Sequence, residues 1–320
     1  MSSDRRHCLL LLSLIVVSLT AVHGRLSLDY YSKTCPDFPN ILLSTVTSKQ
    51  LSTPTTAAAL LRLFLHDCLP GSCDSSVLLS PERSSDINLS LPGDAFDLIF
   101  RLKSSLEISC PSVVSCSDII VASAHHLLVI LGGPHFPLYL GRKDSFSPFP
   151  ISPDTLPLPD MTVSEVIALF GKRGFSVREM VALSGAHTVG FSHCSSLAKD
   201  IYNFSSSAAT DPRYNARFAE GLRSACRNYK KDPTLAVFND IMTPGKFDNE
   251  YFKNLERGLG VLGTDRGMAG DERTKGFVEM YAKDQDLWFK DFGNAMLKVS
   301  LMGIKAGRAG EIRRRCDVSN

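Results

Sequence analysis

An excess of charge of either sign is absent from this chain: 35 lysines and arginines stand against 33 aspartates and glutamates, a formal net charge of +2. That balance argues against a nucleic-acid-binding surface. No repeat of fixed period runs through the sequence, which excludes solenoids and propellers. Strand-like alternation is scarce; Pro137 to Leu140 is the best short candidate. Only one long apolar run occurs, Cys8 to Val22, and no second span or stop-transfer pattern follows it. The run is too short to cross a bilayer comfortably. Arg5, Arg6 and His7 precede it, and Val22 and Gly24 sit at the small-residue positions of a cleavage site. The expectation is therefore a secretory leader over residues 1–24 rather than an anchor. Neither a retention tetrapeptide nor a hydrophobic tail stands at Asn320.

Removal of the leader takes Arg5, Arg6 and Asp4 with it and lowers the formal charge from +2 to about +1. The remaining chain, about 296 residues, is long enough for one large domain or two closely packed ones. It keeps eight of the nine cysteines, Cys8 having left. An even number in an extracellular protein reads as four disulfides, for which about 105 connectivities exist. Cys68 and Cys73 alone suggest a pair, across a short glycine-containing loop. A zinc site at His66, Cys68 and Cys73 competes with that pair. An oxidising compartment and the missing second Cys-x-x-Cys half speak against it.

What the sequence does have is helical periodicity, over about 38–51, 57–68, 94–108, 116–130, 162–173, 178–185, 193–203, 213–227, 248–256, 273–283 and 287–303. Asp160 is an N-cap candidate for 162–173, and Ser176 with Glu179 makes a capping box for the next helix. The stretch Arg142 to Pro159, with Pro148, Pro150, Pro153, Pro157 and Pro159, divides the chain into two parts. It lacks the glycine and charge of a mobile tether and marks a boundary between subdomains.

Each part carries one notable histidine. In Arg62-Leu63-Phe64-Leu65-His66-Asp67-Cys68, Arg62 and His66 stand at i and i+4 and project from one helix face. A fixed cation beside a group that titrates near neutrality can build a proton-transferring site. His187, in Leu183-Ser184-Gly185-Ala186-His187-Thr188-Val189-Gly190, lies just past a predicted helix end among small residues that admit something bulky. Taken alone, each histidine is more often a capping or core group than a ligand.

Together these two segments resemble those of the secreted plant (class III) haem peroxidases, the horseradish-peroxidase-like family. The resemblance runs from Tyr31-Ser32-Lys33-Thr34-Cys35-Pro36 to Glu311-Ile312-Arg313-Arg314-Arg315-Cys316, and all eight mature cysteines fall at family positions. It implies a mostly α haem-peroxidase fold with little β. A distal part (about 25–150) and a proximal part (about 151–320) would sandwich one haem b. His187 is then the proximal iron ligand, and Asp265 accepts a hydrogen bond from its other ring nitrogen. His66 is the general base and then acid toward hydrogen peroxide, and Arg62 stabilises the charge that develops. Asn88 holds the far nitrogen of His66, and Glu82 supplies a carboxylate that extends this network.

The resemblance further implies two calcium ions. One takes the side chains of Asp67, Asp74 and Ser76 with carbonyls of Asp67, Pro70 and Ser72. The other takes Thr188, Asp240, Thr243 and Asp248 with the carbonyl of Lys246. The family pairs Cys35 with Cys110, Cys68 with Cys73, Cys116 with Cys316 and Cys194 with Cys226. Asp118 and Arg142 match a buried ion pair, and Pro157 matches a proline beside the channel for aromatic donors. The implied protein is a secreted monomer of the apoplast or cell wall, acting on hydrogen peroxide and small phenols without nucleic acid or membrane. Of two glycosylation sequons, Asn203-Phe204-Ser205 is the credible one, because Asn88 in Asn88-Leu89-Ser90 would be buried.

Departures from the family pattern are also legible. Leu65 and Leu69 replace phenylalanines, Ser72 replaces a glycine, Thr55 stands where many members have an arginine near a haem propionate, and Met268-Ala269 replaces Leu-Phe. Leu65 is expected to widen access to the iron. Two other classes compete: a catalytically silent peroxidase-fold protein that binds calcium in the wall, and a disulfide-stapled calcium protein without haem.

Overall fold

The computed structural model describes residues 26–149 and 155–320. The predicted leader lies outside them, as do Pro150 and Pro153 of the proline-rich stretch. Four helices come first: α1 Phe38–Ser52, α2 Thr56–Cys68, α3 Gly93–Ser109 and α4 Cys116–Ile130. α4 is apolar on almost every side because it is central. Ser115 caps it by accepting from the backbone N–H of Asp118, and its residues from Cys116 to His125 are all buried. α2 lies against α4, with Leu60, Leu63 and Phe64 fully buried. Each such side chain contributes roughly 1.5–3 kcal/mol of burial free energy, so α2 is held rigidly along its length.

The second part holds α5 Val163–Lys172, α6 Val177–Ser184, a 3-10 turn Gly185–Thr188, α7 Cys194–Tyr202 and α8 Ala216–Ala225. It continues with α9 Glu250–Glu256, α10 Gly263–Gly270, α11 Lys275–Lys283 and α12 Gln285–Ser300. The one sheet among the described residues pairs β1 Phe191–His193 with β2 Ala236–Phe238, antiparallel. The expected piece at Pro137–Leu140 is not a strand. It contributes one isolated bridge, Leu140 to Ser27, and Pro137 brings no N–H to a ladder. The mostly helical fold predicted from the sequence stands.

Two capping boxes start α5 and α6. Thr162 and Glu165 exchange hydrogen bonds at the first, Ser176 and Glu179 at the second. The cap of α5 is thus Thr162, not Asp160, since only Thr162 has a glutamate three residues on. α10 was not expected at all, because Gly263, Gly267 and Gly270 depress its helix propensity. Tertiary packing overrides that: a Cβ at Gly267 would lie 2.7 Å from Val163 Cγ2, so only glycine lets α10 approach α5 this closely.

One continuous core takes in residues of both parts, among them Leu63, Val121, Val181, Trp288 and Val299. A second cluster (Leu197, Ile201, Tyr214, Leu222) packs around Cys194 and Cys226. All four disulfides carry the expected pairing: Cys35–Cys110, Cys68–Cys73, Cys116–Cys316 and Cys194–Cys226. The second of these replaces the zinc reading, because a thiol in a disulfide cannot bind metal as a thiolate. The expected Asp118–Arg142 pair is fully buried at 2.9 Å. Tyr31 Oη and the Gly141 N–H also donate to Asp118, while Arg142 donates to the Ser300 carbonyl, so every charge-bearing atom is used. This pair ties α4 to the end of α12. Among the described residues no helix is long and apolar enough to cross a membrane.

Candidate active site

α2 presents Arg62 and His66 one turn apart, as their spacing predicts. His66 is buried, and its Nδ1 lies 2.7 Å from Asn88 Oδ1. The amide of Asn88 is oriented by its own donation from Nδ2 to the Glu82 carbonyl at 2.9 Å. Its oxygen must therefore face the ring and accept, which makes Nδ1 the protonated nitrogen of His66 and leaves Nε2 with a lone pair. Burial pushes the His66 pKa down to about 4; the Asn88 bond opposes this and the Arg62 charge adds to it. The ring is thus neutral at ordinary pH.

The expected role of the Glu82 carboxylate needs correction. The network runs from Asn88 through the main-chain carbonyl of Glu82, since an amide N–H needs an acceptor there and the carboxylate turns elsewhere. It accepts from the Phe149 N–H and the Ser76 side chain, and burial raises its pKa to about 7.

His187 sits in the 3-10 turn that follows α6. That turn is seated on α12: Trp288 is fully buried, donates from Nε1 to the Ala182 carbonyl at 3.0 Å, and leaves no room for a Cβ at Gly185. His187 Nδ1 lies 3.1 Å from both carboxylate oxygens of Asp265, in the first turn of α10. Burial alone would lower the His187 pKa, but the charge and hydrogen bond of Asp265 raise it. A carboxylate can only accept, so Nδ1 carries a proton toward Asp265 and Nε2 faces away from it. Tyr251 stands edge-on to the ring with centroids 6.2 Å apart. The helix that carries this carboxylate is anchored by the next residue: Arg266 pairs with Asp200 at 2.6 Å and Asp211 at 2.9 Å and covers the ring of Tyr214.

Two cavities meet between these walls. One, of about 380 Å³, is lined by Thr55, Arg62, Ser90, Ala186, Gly190 and others. The second, about 110 Å³ and apolar, is lined by Val166, Phe170, Met180, Met268 and the exposed Pro157 among others. Leu65, Leu183 and His187 line both. The side chain of His187 keeps 41 % of its surface open although it lies deep in the molecule, because it faces this slot rather than bulk water. At one rim the walls close tightly: a Cβ on Gly190, at φ +90°, would lie 3.0 Å from that of Ala58. A larger open groove, about 900 Å³ around Tyr202, Asp211 and Arg227, touches none of the predicted site residues.

Asp67, Asp74 and Ser76 are all buried at the end of α2. Asp67 Oδ2 accepts from the Ser75 N–H while its Oδ1 has no partner among the described residues. Burial, then the Asp74 charge, pushes the Asp67 pKa well up. An oxygen-lined hole with excess negative charge fits a hard cation. Ser72 is not in the left-handed region, so its replacement of glycine carries no backbone strain. Its hydroxyl donates to the Gly303 carbonyl at 2.6 Å. One contact was not foreseen: Lys305 Nζ lies 3.2 Å from Asp74 Oδ2.

In the second set, Thr188 Oγ1 lies 2.8 Å from the Asp248 carbonyl, 3.4 Å from Asp240 Oδ2 and 3.5 Å from the Lys246 carbonyl. Thr243 Oγ1 reaches Asp240 and Asp248 at 3.2 and 3.0 Å. No three His, Cys, Asp or Glu side chains converge in either set, or elsewhere among the described residues. Hydroxyls and carbonyls make up the remainder, which suits calcium and not a transition metal. Of the sequons, Asn203 is exposed and Asn88 is buried.

The peroxidase family model matches residues 43–284. Among curated proteins of Arabidopsis thaliana, Peroxidase 63 is 54 % identical, covering 98 % of this chain and 96 % of its own. Peroxidase 31 is 52 % identical over 97 % and 98 %, and Peroxidase 65 is 48 % identical over 98 % and 94 %. His187 on the slot and His66 one helical turn from the Arg62 that lines it, each with its outer nitrogen pinned, thus occur in a chain that belongs to the peroxidase family, among its plant (class III) members.

Proposed function

We propose that this enzyme is a secreted haem b peroxidase that reduces hydrogen peroxide to water while two phenolic donors each lose one electron and one proton. Peroxide takes up those two electrons and two protons, and two waters result. The observation that carries this reading is the tautomer of His66: a neutral ring with its lone pair at Nε2, one helical turn from Arg62, which lines the same cavity as His187. Haem would be held there by His187 Nε2 as the donor to its iron, with Leu65, Leu183, Phe170 and Met268 as apolar wall. When bound, haem supplies the redox centre that holds oxidising equivalents between peroxide and donor.

The residues of the chain do the rest. His66 Nε2 accepts the proton from one peroxide oxygen and delivers it to the other, so that water rather than hydroxide leaves. Arg62 faces the charge that grows on the departing oxygen. Asp265 accepts from His187 Nδ1, which makes Nε2 more electron-rich. Pro157, exposed at the mouth of the smaller cavity, offers a flat apolar surface to an aromatic donor. Calcium at the set of Asp67, Pro70, Ser72, Asp74 and Ser76 would brace the segment that follows His66. Calcium at Thr188, Asp240, Thr243, Lys246 and Asp248 would brace the one that follows His187. Distal and proximal parts divide at about residue 150. Four disulfides suit an oxidising, extracellular compartment.

A Soret band in the purified protein tests haem binding, and a peroxide-dependent guaiacol assay tests turnover. His66→Ala should slow the reaction with peroxide by at least about 100-fold, the usual contribution of a positioned base. A change under threefold would remove His66 from this role.

A further inference from the structure

The loop before α3 holds both reactive side chains of α2 within three residues. Asn88 accepts from His66, and two positions on, Ser90 accepts twice from Arg62. Arg62 Nη1 donates to the Ser90 carbonyl at 3.0 Å and Nη2 to the Ser90 hydroxyl at 2.8 Å. No carboxylate pairs with Arg62 among the described residues, and it has no other hydrogen-bond partner there. The stem of Arg62 is long and flexible, so its guanidinium has no fixed plane until two parallel N–H groups are engaged at once. Ser90 supplies that fork, and it lines the same cavity as Arg62, Leu65 and His187.

We propose that Ser90 is a positioning residue for peroxide cleavage, fixing the guanidinium of Arg62 in the slot. The inference rests on the peroxidase reading of Arg62. It also gives a chemical use to the sequon Asn88-Leu89-Ser90. The amide of its asparagine is taken by His66 and the Glu82 carbonyl, and the hydroxyl of its serine by Arg62. A glycan has no free nitrogen to attach to without dismantling the site.

Alanine at position 90 removes the hydroxyl bond and keeps the carbonyl one. The guanidinium is then held at one point and free to swing, and misplacement by about an ångström can cost up to about 100-fold in rate. With one of two bonds kept, the expected loss is about tenfold. Ser90→Thr retains the hydroxyl and should stay within twofold or so of the wild type.

The experiment uses the holoenzyme with Ser90→Ala and Ser90→Thr, each in the wild-type and the Arg62→Ala background. Three quantities are read: the rate with hydrogen peroxide, the rate of guaiacol oxidation at saturating peroxide, and the dissociation constant of fluoride for the resting protein. Fluoride is a small anion that would draw on the same guanidinium without turnover. Ser90→Ala should slow the peroxide step and weaken fluoride by about tenfold each, leave the guaiacol step unchanged, and add nothing once Arg62 is alanine. An equal further loss in the Arg62→Ala background would mean a structural role independent of Arg62 and overturn the proposal. So would a neutral Ser90→Ala, or a glycan found on Asn88 by peptide mass. If Arg62→Ala itself leaves the peroxide rate unchanged, the reading of Arg62 fails first, and the two failures are told apart.

Discussion

Asn88→Ala isolates the acid–base step more cleanly than removal of His66 itself. The asparagine is 2 % exposed, and its Oδ1 is the acceptor for His66 Nδ1 at 2.7 Å. Alanine leaves a buried imidazole N–H without a partner, while the Glu82 carbonyl still accepts from the Ser85 N–H and hydroxyl. An unsatisfied buried polar group costs about 1–3 kcal/mol. At about 1.36 kcal/mol per tenfold in rate, that is about 5- to 150-fold if the penalty falls on the orientation and tautomer of the ring. A water entering the vacated volume would recover part of it, which favours the lower half of the range. The expected result is a roughly 5- to 30-fold slower reaction with hydrogen peroxide, measured by stopped flow on the holoenzyme at pH 7.

Donor oxidation at saturating peroxide should be untouched, because that step does not use the Nδ1 proton. The pH dependence has a definite sign. A base with pKa about 4 stays neutral above that value, so the wild-type rate should be level from pH 8 to about 5 and fall below about 4. The Asn88 bond favours the charged ring, so its loss should move this acid limb lower, not higher. Equal losses in both steps, or a limb that moves up, would refute the assignment of Asn88 as the orienting acceptor.

Two further perturbations probe one departure from the family's pattern and the unforeseen Lys305 contact. Leu65 lines both cavities, so Leu65→Phe should narrow the junction and lower the rate for bulky phenols relative to guaiacol by about tenfold; an unchanged ratio across a panel of donors would dispose of the idea. Lys305 occupies an oxygen of Asp74 that a cation would need. Lys305→Met should therefore tighten calcium binding about tenfold in a chelator-competition titration, and equal or weaker binding would count against any competition.

How much of this was legible beforehand depends on range along the chain. Arg62 and His66 lie four residues apart, and helix geometry alone puts them on one face. His66 and Asn88 are 22 residues apart and His187 and Asp265 are 78 apart; no local rule joins either pair, and they were foreseen only through resemblance. The helix that carries Asp265 stayed hidden because its three glycines each weigh against a helix by about 1 kcal/mol. The packing of Gly267 on Val163 and the ion pairs of Arg266 outweigh them, and neither is visible in a window of residues. The small sheet was missed for the same reason: its strands have three residues each and lie far apart in sequence. Ser90 read only as half of a sequon, since a serine's hydroxyl gives no hint of which distant guanidinium it will meet.

Ser72 was the departure that threatened the distal cation site, and its backbone removes the threat, but the same region assigns the work of holding α2 differently. Ser72 Oγ donates to the Gly303 carbonyl, the Cys73 N–H to the Met302 carbonyl at 3.0 Å, and Lys305 pairs with Asp74. Gly303, at φ +50°, packs so closely on Gly71 that no side chain could stand there. Farther on, Arg313 is fully buried and donates to the Ser75 and Ser145 carbonyls, and Cys316 closes onto Cys116. The segment 302–316 therefore clasps the loop that follows His66 along residues 71–75, just beyond Asp67. A cation bound at Asp67 and Asp74 would add to a clamp that the chain already makes with its own backbone. Removing calcium should then loosen the distal side less than the proximal one. There Asp240 and the Asp248 carbonyl meet Thr188 beside His187, Thr243 reaches both aspartates, and Ile241 and Met242 of the same loop are exposed to solvent.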